Sequence, residues 1–200
     1  MKTKNNMIVM LFVLCLVDLS CTLDRNPLTP EARDASVIMP LEIGDRWIFD
    51  VTDFDSTCSV LKRFVDTLVI VGDKVINGQR WYVTNEGCIV RNSPEGLWSA
   101  LLVDGEISNL TLAAKYPGST GERWYYGYAT IVSADMVLKV PYGEFHCYKY
   151  EDTMNLEDTP SVSYLAPGVG ILRAEYYRVT SDGRSYMYEV AELKDVIMGS

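Results

Sequence analysis

The sequence predicts an all-β protein, an antiparallel meander of about ten strands with little helix. Three observations carry this. Apolar and polar residues alternate with a period of two through one segment after another. Turn residues recur at short intervals, at Asn77-Gly78, Pro94-Glu95-Gly96, Asp104-Gly105, Pro117-Gly118, Tyr142-Gly143 and Asp182-Gly183. Aromatic residues are abundant, with 13 Tyr and 4 Trp, and the pleated surface of a strand favours such rings.

The chain opens with a different kind of segment. Residues 1–6 form a basic head, Met7–Val17 is an apolar run, and Asp18-Leu19-Ser20-Cys21 follows. The run is far shorter than the roughly 20 apolar residues that span a bilayer. It has the plan of a secretory signal peptide, so residues 1–20 are set apart from the fold. Leu19-Ser20-Cys21 resembles a bacterial lipoprotein box displaced by one place, which makes Cys21 the candidate lipidation residue. Ordinary cleavage near Ser20 is the plainer alternative. Cys15 is a poorer acceptor, because Val13-Leu14 before it offers no small residue. Residues 21–36 hold Pro27, Pro30 and mixed charges without an apolar period, as a flexible tether would. One domain, residues 37–196, follows.

In Trp47-Ile-Phe49-Asp-Val51 the odd positions are apolar, so that strand turns one face to a core. Phe64–Val71 is apolar on both faces and reads as a central strand. Asn77-Gly78 then separates Val75-Ile76 from Trp81-Tyr82-Val83, the strongest local hairpin signal, since type I′ turns need positive φ at both central residues. Further strands are expected over Leu97–Val103, Tyr125–Ser133, Met136–Val140, Phe145–Tyr150, Val169–Val179 and Tyr186–Leu193. Ile107–Lys115 fits two helical turns or a strand equally well.

Removing residues 1–20 takes away two basic residues and one acid, which moves the net charge from −9 to −10. That charge repels phosphate backbones, so nucleic acid is not an expected partner. Beyond Cys21 the cysteines are Cys58, Cys88 and Cys147. Export places them where a disulfide persists, and Cys58 with Cys88, both near turns, is the favoured pair. Cys147 then stays a buried thiol within a strand. No Cys/His cluster has metal-ligand spacing, and no metal or cofactor is expected.

Candidate sites are few. His146 is the sole histidine. Phe145 and Cys147 beside it read as core, which turns His146 to the exposed face. Asp53-Phe54-Asp55 has the alternate spacing of a calcium loop without its glycine or distal glutamate, so it reads as loop charge together with Asp50. Trp124, Tyr125, Tyr126 and Tyr128 form the densest aromatic group, with Tyr176, Tyr177, Tyr186 and Tyr188 as a second. Most rings there stabilise a sheet, but alternation leaves some exposed. Trp124, Tyr125, Tyr126 and Tyr128 are therefore the candidate ligand-binding residues.

Three segments carry a resemblance. They are Met39-Pro-Leu-Glu-Ile-Gly-Asp-Arg-Trp-Ile-Phe49, Val140-Pro-Tyr-Gly-Glu-Phe-His-Cys-Tyr148 and Tyr164-Leu-Ala-Pro-Gly-Val-Gly-Ile-Leu172. Together they resemble a broad group of uncharacterised bacterial secreted proteins and lipoproteins with the pattern Pro-Leu-x-x-Gly-x-x-Trp-x-Tyr, Val-Pro-x-Gly-x-Phe, Ala-Pro-Gly-Val-Gly. Phe49 stands where Tyr is usual. The resemblance spans residues 39–195 and implies one strongly curved antiparallel sheet or half-barrel.

The functional expectation is a non-enzymatic lipoprotein of the bacterial cell envelope, held to the outer membrane or its periplasmic face by a lipid anchor, or secreted if Cys21 is unmodified. It would bind an envelope protein or glycan, or support an assembly. A carrier of an apolar ligand in a concave sheet is the alternative, by analogy of fold alone. A polysaccharide hydrolase, which needs paired carboxylates, is third.

Overall fold

The computed structural model describes residues 34–153 and 160–199. Twelve strands alternate with tight connections: β1 (Arg46–Phe54), β2 (Val60–Ile76), β3 (Gln79–Thr84), β4 (Cys88–Ser93), β5 (Gly96–Val103), β6 (Glu106–Lys115), β7 (Arg123–Trp124), β8 (Ala129–Val140), β9 (Gly143–Asp152), β10 (Ser161–Ala166), β11 (Gly170–Val179) and β12 (Ser185–Ile197). They form a single antiparallel sheet in which sequence neighbours pair, and β1 also pairs with β12. Only β6 and β7 have no ladder between them, so the sheet is a nearly closed barrel. The signal segment and Cys21 lie outside the described residues.

Local sequence accounts for most of these elements. Asn77 and Gly78 have φ of +52° and +73°, the pair of positive angles that a type I′ turn requires, and they join β2 to β3. Ile107–Lys115 is strand throughout, as part of β6. The runs Tyr125–Ser133 and Met136–Val140 are not two strands: Tyr125–Gly127 is a 3-10 turn, and Ala129–Val140 is one strand with register shifts between Ile131 and Met136. Such bulges absorb extra residues and bend the strand. Alternation had not singled out β4, β7 or β10.

β2 links the two halves of the sheet. Its first half pairs with β1, up to Val69, and its second half with β3, from Ile70. It is central in the sheet as expected, but only one face is buried. Ile70 is fully buried whereas Val65 and Val71 are more than half exposed.

The main core gathers Trp47, Phe49 and Val51 of β1 with Ile70, Ile131, Phe145, Cys147, Leu172 and Leu193. The segment before β1 fills the interior. Ile38 and Met39 are buried. Gly168 N donates to the Val37 carbonyl at 2.8 Å, and Asn92 Nδ2 donates to the Met39 carbonyl at 2.8 Å. Trp47 Nε1 donates to the Val169 carbonyl at 2.7 Å. On the opposite face of β3–β5 lies a second, smaller core of Trp81, Ile89 and Ala100, with Trp98 and Leu102 against it. Parity explains both, because Tyr82, Val90 and Leu97 face the main core while their neighbours Trp81, Ile89 and Trp98 face the second.

Candidate ligand-binding site

The aromatic group expected to bind is not one exposed strip. Trp124 ends β7 and turns inward, edge-on to Tyr150 with ring centroids 5.9 Å apart. Its Nε1 donates to the Leu112 carbonyl at 2.7 Å. Tyr125 begins the 3-10 turn at φ +53° and is half-buried. Tyr128 is exposed, and its carbonyl accepts from Thr153 N at 3.0 Å. The side chain of Tyr126 lies outside the description. Positive φ at Tyr125 breaks the strand alternation that the candidate strip assumed.

The second aromatic group borders a real concavity. A cleft of about 270 Å³ opens between β1, β2, β11 and β12. Its apolar floor includes Phe49, Val51, Phe64, Leu68, Ile171 and Ala191, and Tyr176 joins it at one side. Strand register builds this floor. Val51 sits opposite Phe64 on one side and Ala191 on the other. Ala191 in turn faces Ala174, and Tyr176 faces Glu189. One lateral row therefore runs across four neighbouring strands.

Asp66, Glu86 and Glu189 also line the cleft. Burial, then the nearby charges of Asp53 and Asp66, holds the Glu189 carboxyl above the usual glutamate range. Burial, followed by Glu189, likewise raises the Tyr176 phenol. Asp53 faces Glu189 across the ladder, and its Oδ1 is buried without a partner among the described residues. The chemistry on offer is an apolar floor beneath a ring of negative charge. Tyr176 stands 6.2 Å from Tyr188, whose ring carries the Arg178 guanidinium at 3.9 Å. Sequence reading missed this cleft because its residues are spread from position 49 to position 191 and only register joins them.

The remaining candidates resolve individually. His146 is exposed, and its Nδ1 lies 2.8 Å from Asp135 Oδ1. Asp50 pairs with Lys194 at 2.9 Å. Asp55 is occupied in its own turn, accepting from Thr57 N at 2.8 Å and Ser59 N at 3.0 Å, and these bonds lower its pKa, the Thr57 side chain most of all. No group of three or more His, Cys, Asp or Glu among the described residues is placed to hold a metal ion.

Cys58, Cys88 and Cys147 are free thiols, so the expected Cys58–Cys88 bridge is not formed. Geometry gives the reason. Cys58 lies in the tight turn from β1 to β2, and Cys88 begins β4 beside the Thr84–Gly87 turn, level with Val69 and Ile70. About ten strand residues separate the two levels, roughly 30 Å at a rise of about 3.3 Å each, and a disulfide tolerates about 7 Å between Cα atoms.

No protein-family model matches the sequence, and no curated protein does. Two solved structures are similar to it. One is a protein from Bacteroides fragilis provisionally described as exported, with a YmcC-like fold; it is 11% identical with a TM-score of 0.48, over 80% of this chain and 98% of that one. The other is a protein from Parabacteroides distasonis provisionally described as a lipoprotein; it is 11% identical with a TM-score of 0.43, over the same shares of the two chains.

Proposed function

We propose that this chain is a non-enzymatic lipoprotein of the bacterial cell envelope, exported by residues 1–20, anchored through Cys21, and using its barrel to bind rather than to transport. The observation that carries the reading is the filled interior. Ile38, Met39 and Trp47 occupy the space that a carrier would keep open. The apolar cleft between β1, β2, β11 and β12 measures about 270 Å³, just under the roughly 300 Å³ at which small-molecule pockets begin. A small apolar group fits there.

The carrier reading keeps one supporting observation, the apolar floor of Phe49, Phe64 and Leu68. Two measurements test the proposal. Intact mass spectrometry of protein made in a lipoprotein-processing host should show a mature chain beginning at a lipid-modified Cys21, and Cys21→Ser should release it to the soluble fraction. An unmodified N-terminus downstream of Cys21 overturns the anchor. Tight uptake of the neutral probe N-phenylnaphthylamine, abolished by Phe64→Asp, would overturn the binding role in favour of the carrier.

A further inference from the structure

Asn85 ties the β3–β4 turn to the side of β2. The ladder between β2 and β3 starts at Ile70, so the stretch of β2 before it pairs only with β1. Asn85 takes up the start of that free edge. Its N donates to the Val69 carbonyl at 2.9 Å, its Oδ1 accepts from Val69 N at 2.8 Å, and its Nδ2 donates to the Thr67 carbonyl at 2.8 Å. The next residue, Glu86, is thereby held at the cleft between β1, β2, β11 and β12.

Three carboxylates reach this cleft from three elements: Asp66 from β2, Glu86 from the turn and Glu189 from β12. Asp66 and Glu86 are exposed and Glu189 is half-buried, so a ligand can approach them from solvent. None of the three is in an ion pair among the described residues, and no Lys, Arg or His among them lines the cleft. Register puts the acids and the floor on one face. Asp66 faces Phe49, Phe64 faces Val51, and Val51 faces Ala191, two residues from Glu189 on the same strand. Arg178 is held elsewhere, over the Tyr188 ring at 3.9 Å.

We propose that the cleft binds a primary alkylammonium, its alkyl chain on the floor of Phe49, Val51, Leu68 and Ile171 and its ammonium among Asp66, Glu86 and Glu189. Such a ligand presupposes the binding role given above and supplies its chemical class. An ammonium is a compact charge with three donors, one for each carboxylate. The Phe64 and Tyr176 rings in the lining add faces that attract a cation. A carboxylate ligand would be repelled, and a neutral one would leave the acids without a countercharge. A metal ion is a poorer match, because no group of three or more acids among the described residues is placed to hold one. Lys62 shows the preference within the chain itself. It stands beside Asp53 in the same lateral row as Glu189, and its Nζ rests 4.2 Å from the centroid of the Phe64 ring. A ligand ammonium entering the cleft competes with that side chain.

The test is a titration of the full exported chain carrying Cys21→Ser, labelled with nitrogen-15, with hexylammonium chloride. Backbone amides of Val51, Phe64, Ala174 and Ala191 should shift saturably. Hexanol keeps the chain without the charge, and methylammonium keeps the charge without the chain; each should bind at least tenfold more weakly. Glu86→Gln, at an exposed turn position, should weaken hexylammonium severalfold, and Glu86→Gln combined with Glu189→Gln should weaken it at least tenfold. Lys62→Met removes the competing ammonium and should tighten binding. No saturable shift in these amides overturns the site. Hexanol binding as well as hexylammonium overturns the role of the carboxylates, as does undiminished binding by the double variant. Methylammonium binding as well overturns the role of the floor. Calcium chloride moving the same amides assigns the acids to a metal ion and overturns the amine, and looser binding by Lys62→Met overturns the placement of the ammonium. N-phenylnaphthylamine is uncharged and Cys21 is remote in sequence, so the tests of the binding role and of the anchor succeed or fail independently of this one.

Discussion

Trp124 Nε1, at the end of β7, donates to the carbonyl of Leu112 in β6 at 2.7 Å. These are the two edges of the sheet. Unpaired edges invite association with other chains. Here side chains hold the seam where the ladder is missing. Tyr150 O–H donates to the Lys115 carbonyl at 3.0 Å, and Lys115 Nζ lies 2.7 Å from Glu122 Oε1.

Trp124→Phe keeps a ring against Tyr150 and removes the indole N–H. The Leu112 carbonyl then loses that donor. A destabilisation of about 1 kcal/mol is expected, read as a lower urea midpoint with unchanged slope. An unshifted midpoint would remove the indole from the seam.

Gly170 shows how tightly the first segment fills the barrel. A Cβ there would lie 2.9 Å from Met39 Cγ and 3.1 Å from Trp47 Nε1, at a φ of +98°. Gly170→Ala therefore combines backbone strain with displacement of the Trp47–Val169 bond, for an expected loss of about 2–3 kcal/mol. Gly72→Ala is the matched control, because nothing lies within 4 Å of its Cβ and its φ is not positive. That change should be neutral or slightly stabilising, by up to about 1 kcal/mol. Equal thermal melting of the two variants would refute the packing argument.

These positions show what local sequence could and could not announce. Alternation put Trp47, Phe49 and Val51 on one buried face, and all three are buried. Asn77-Gly78 fixed a turn, because its chemistry is local. The pairing of β1 with β12 joins Arg46 to Ile197, and nothing local marks a contact over that span. β7 is two residues long, too short for any period to register. The cleft is a product of register, so it has no motif. Trp124 looked like a binding residue because sequence shows that a ring is present without showing the face it takes.

Asp45 is buried completely, and its role was invisible in the Gly44-Asp45 pair that opens the first strand. Its two oxygens accept from Glu42 N at 2.8 Å and Gly199 N at 2.7 Å. The carboxylate thereby clasps the entry of β1 to the chain beyond β12. Asp45→Asn retains the volume and loses a charge-assisted acceptor, costing about 2 kcal/mol. Hydrogen exchange should locate the loosening at the β1–β12 pair. Loosening elsewhere would contradict the clasp.

The three thiols should separate under native alkylation. Cys58 is exposed and should react first. Burial raises the Cys88 thiol, and raises that of Cys147 to about 11, so thiolate is scarce at Cys147 near neutral pH. Peptide mass mapping over time should give Cys58 before Cys88, with Cys147 modified only on unfolding. Early labelling of Cys147 would mean that the β8–β9 region opens locally.

Glu189 gives a pH dependence with a definite sign. Its folded pKa is raised, first by burial and then by Asp53 and Asp66, so the native state favours the protonated form. Its stabilising contribution is fully present below the ordinary glutamate value of 4.5 and is lost as pH rises through the higher folded value. Asp55 and Asp182 have lowered pKa values, chiefly through side-chain hydrogen bonds from Thr57 and Thr180 respectively, and contribute in the opposite direction as pH falls. The wild-type curve mixes both signs, so the difference between wild type and Glu189→Gln isolates the cleft. The variant should melt higher than wild type at neutral pH, and the gap should close below 4.5, where both side chains are uncharged. A gap that stays constant across that range would place its origin in packing instead of in the charge of the cleft.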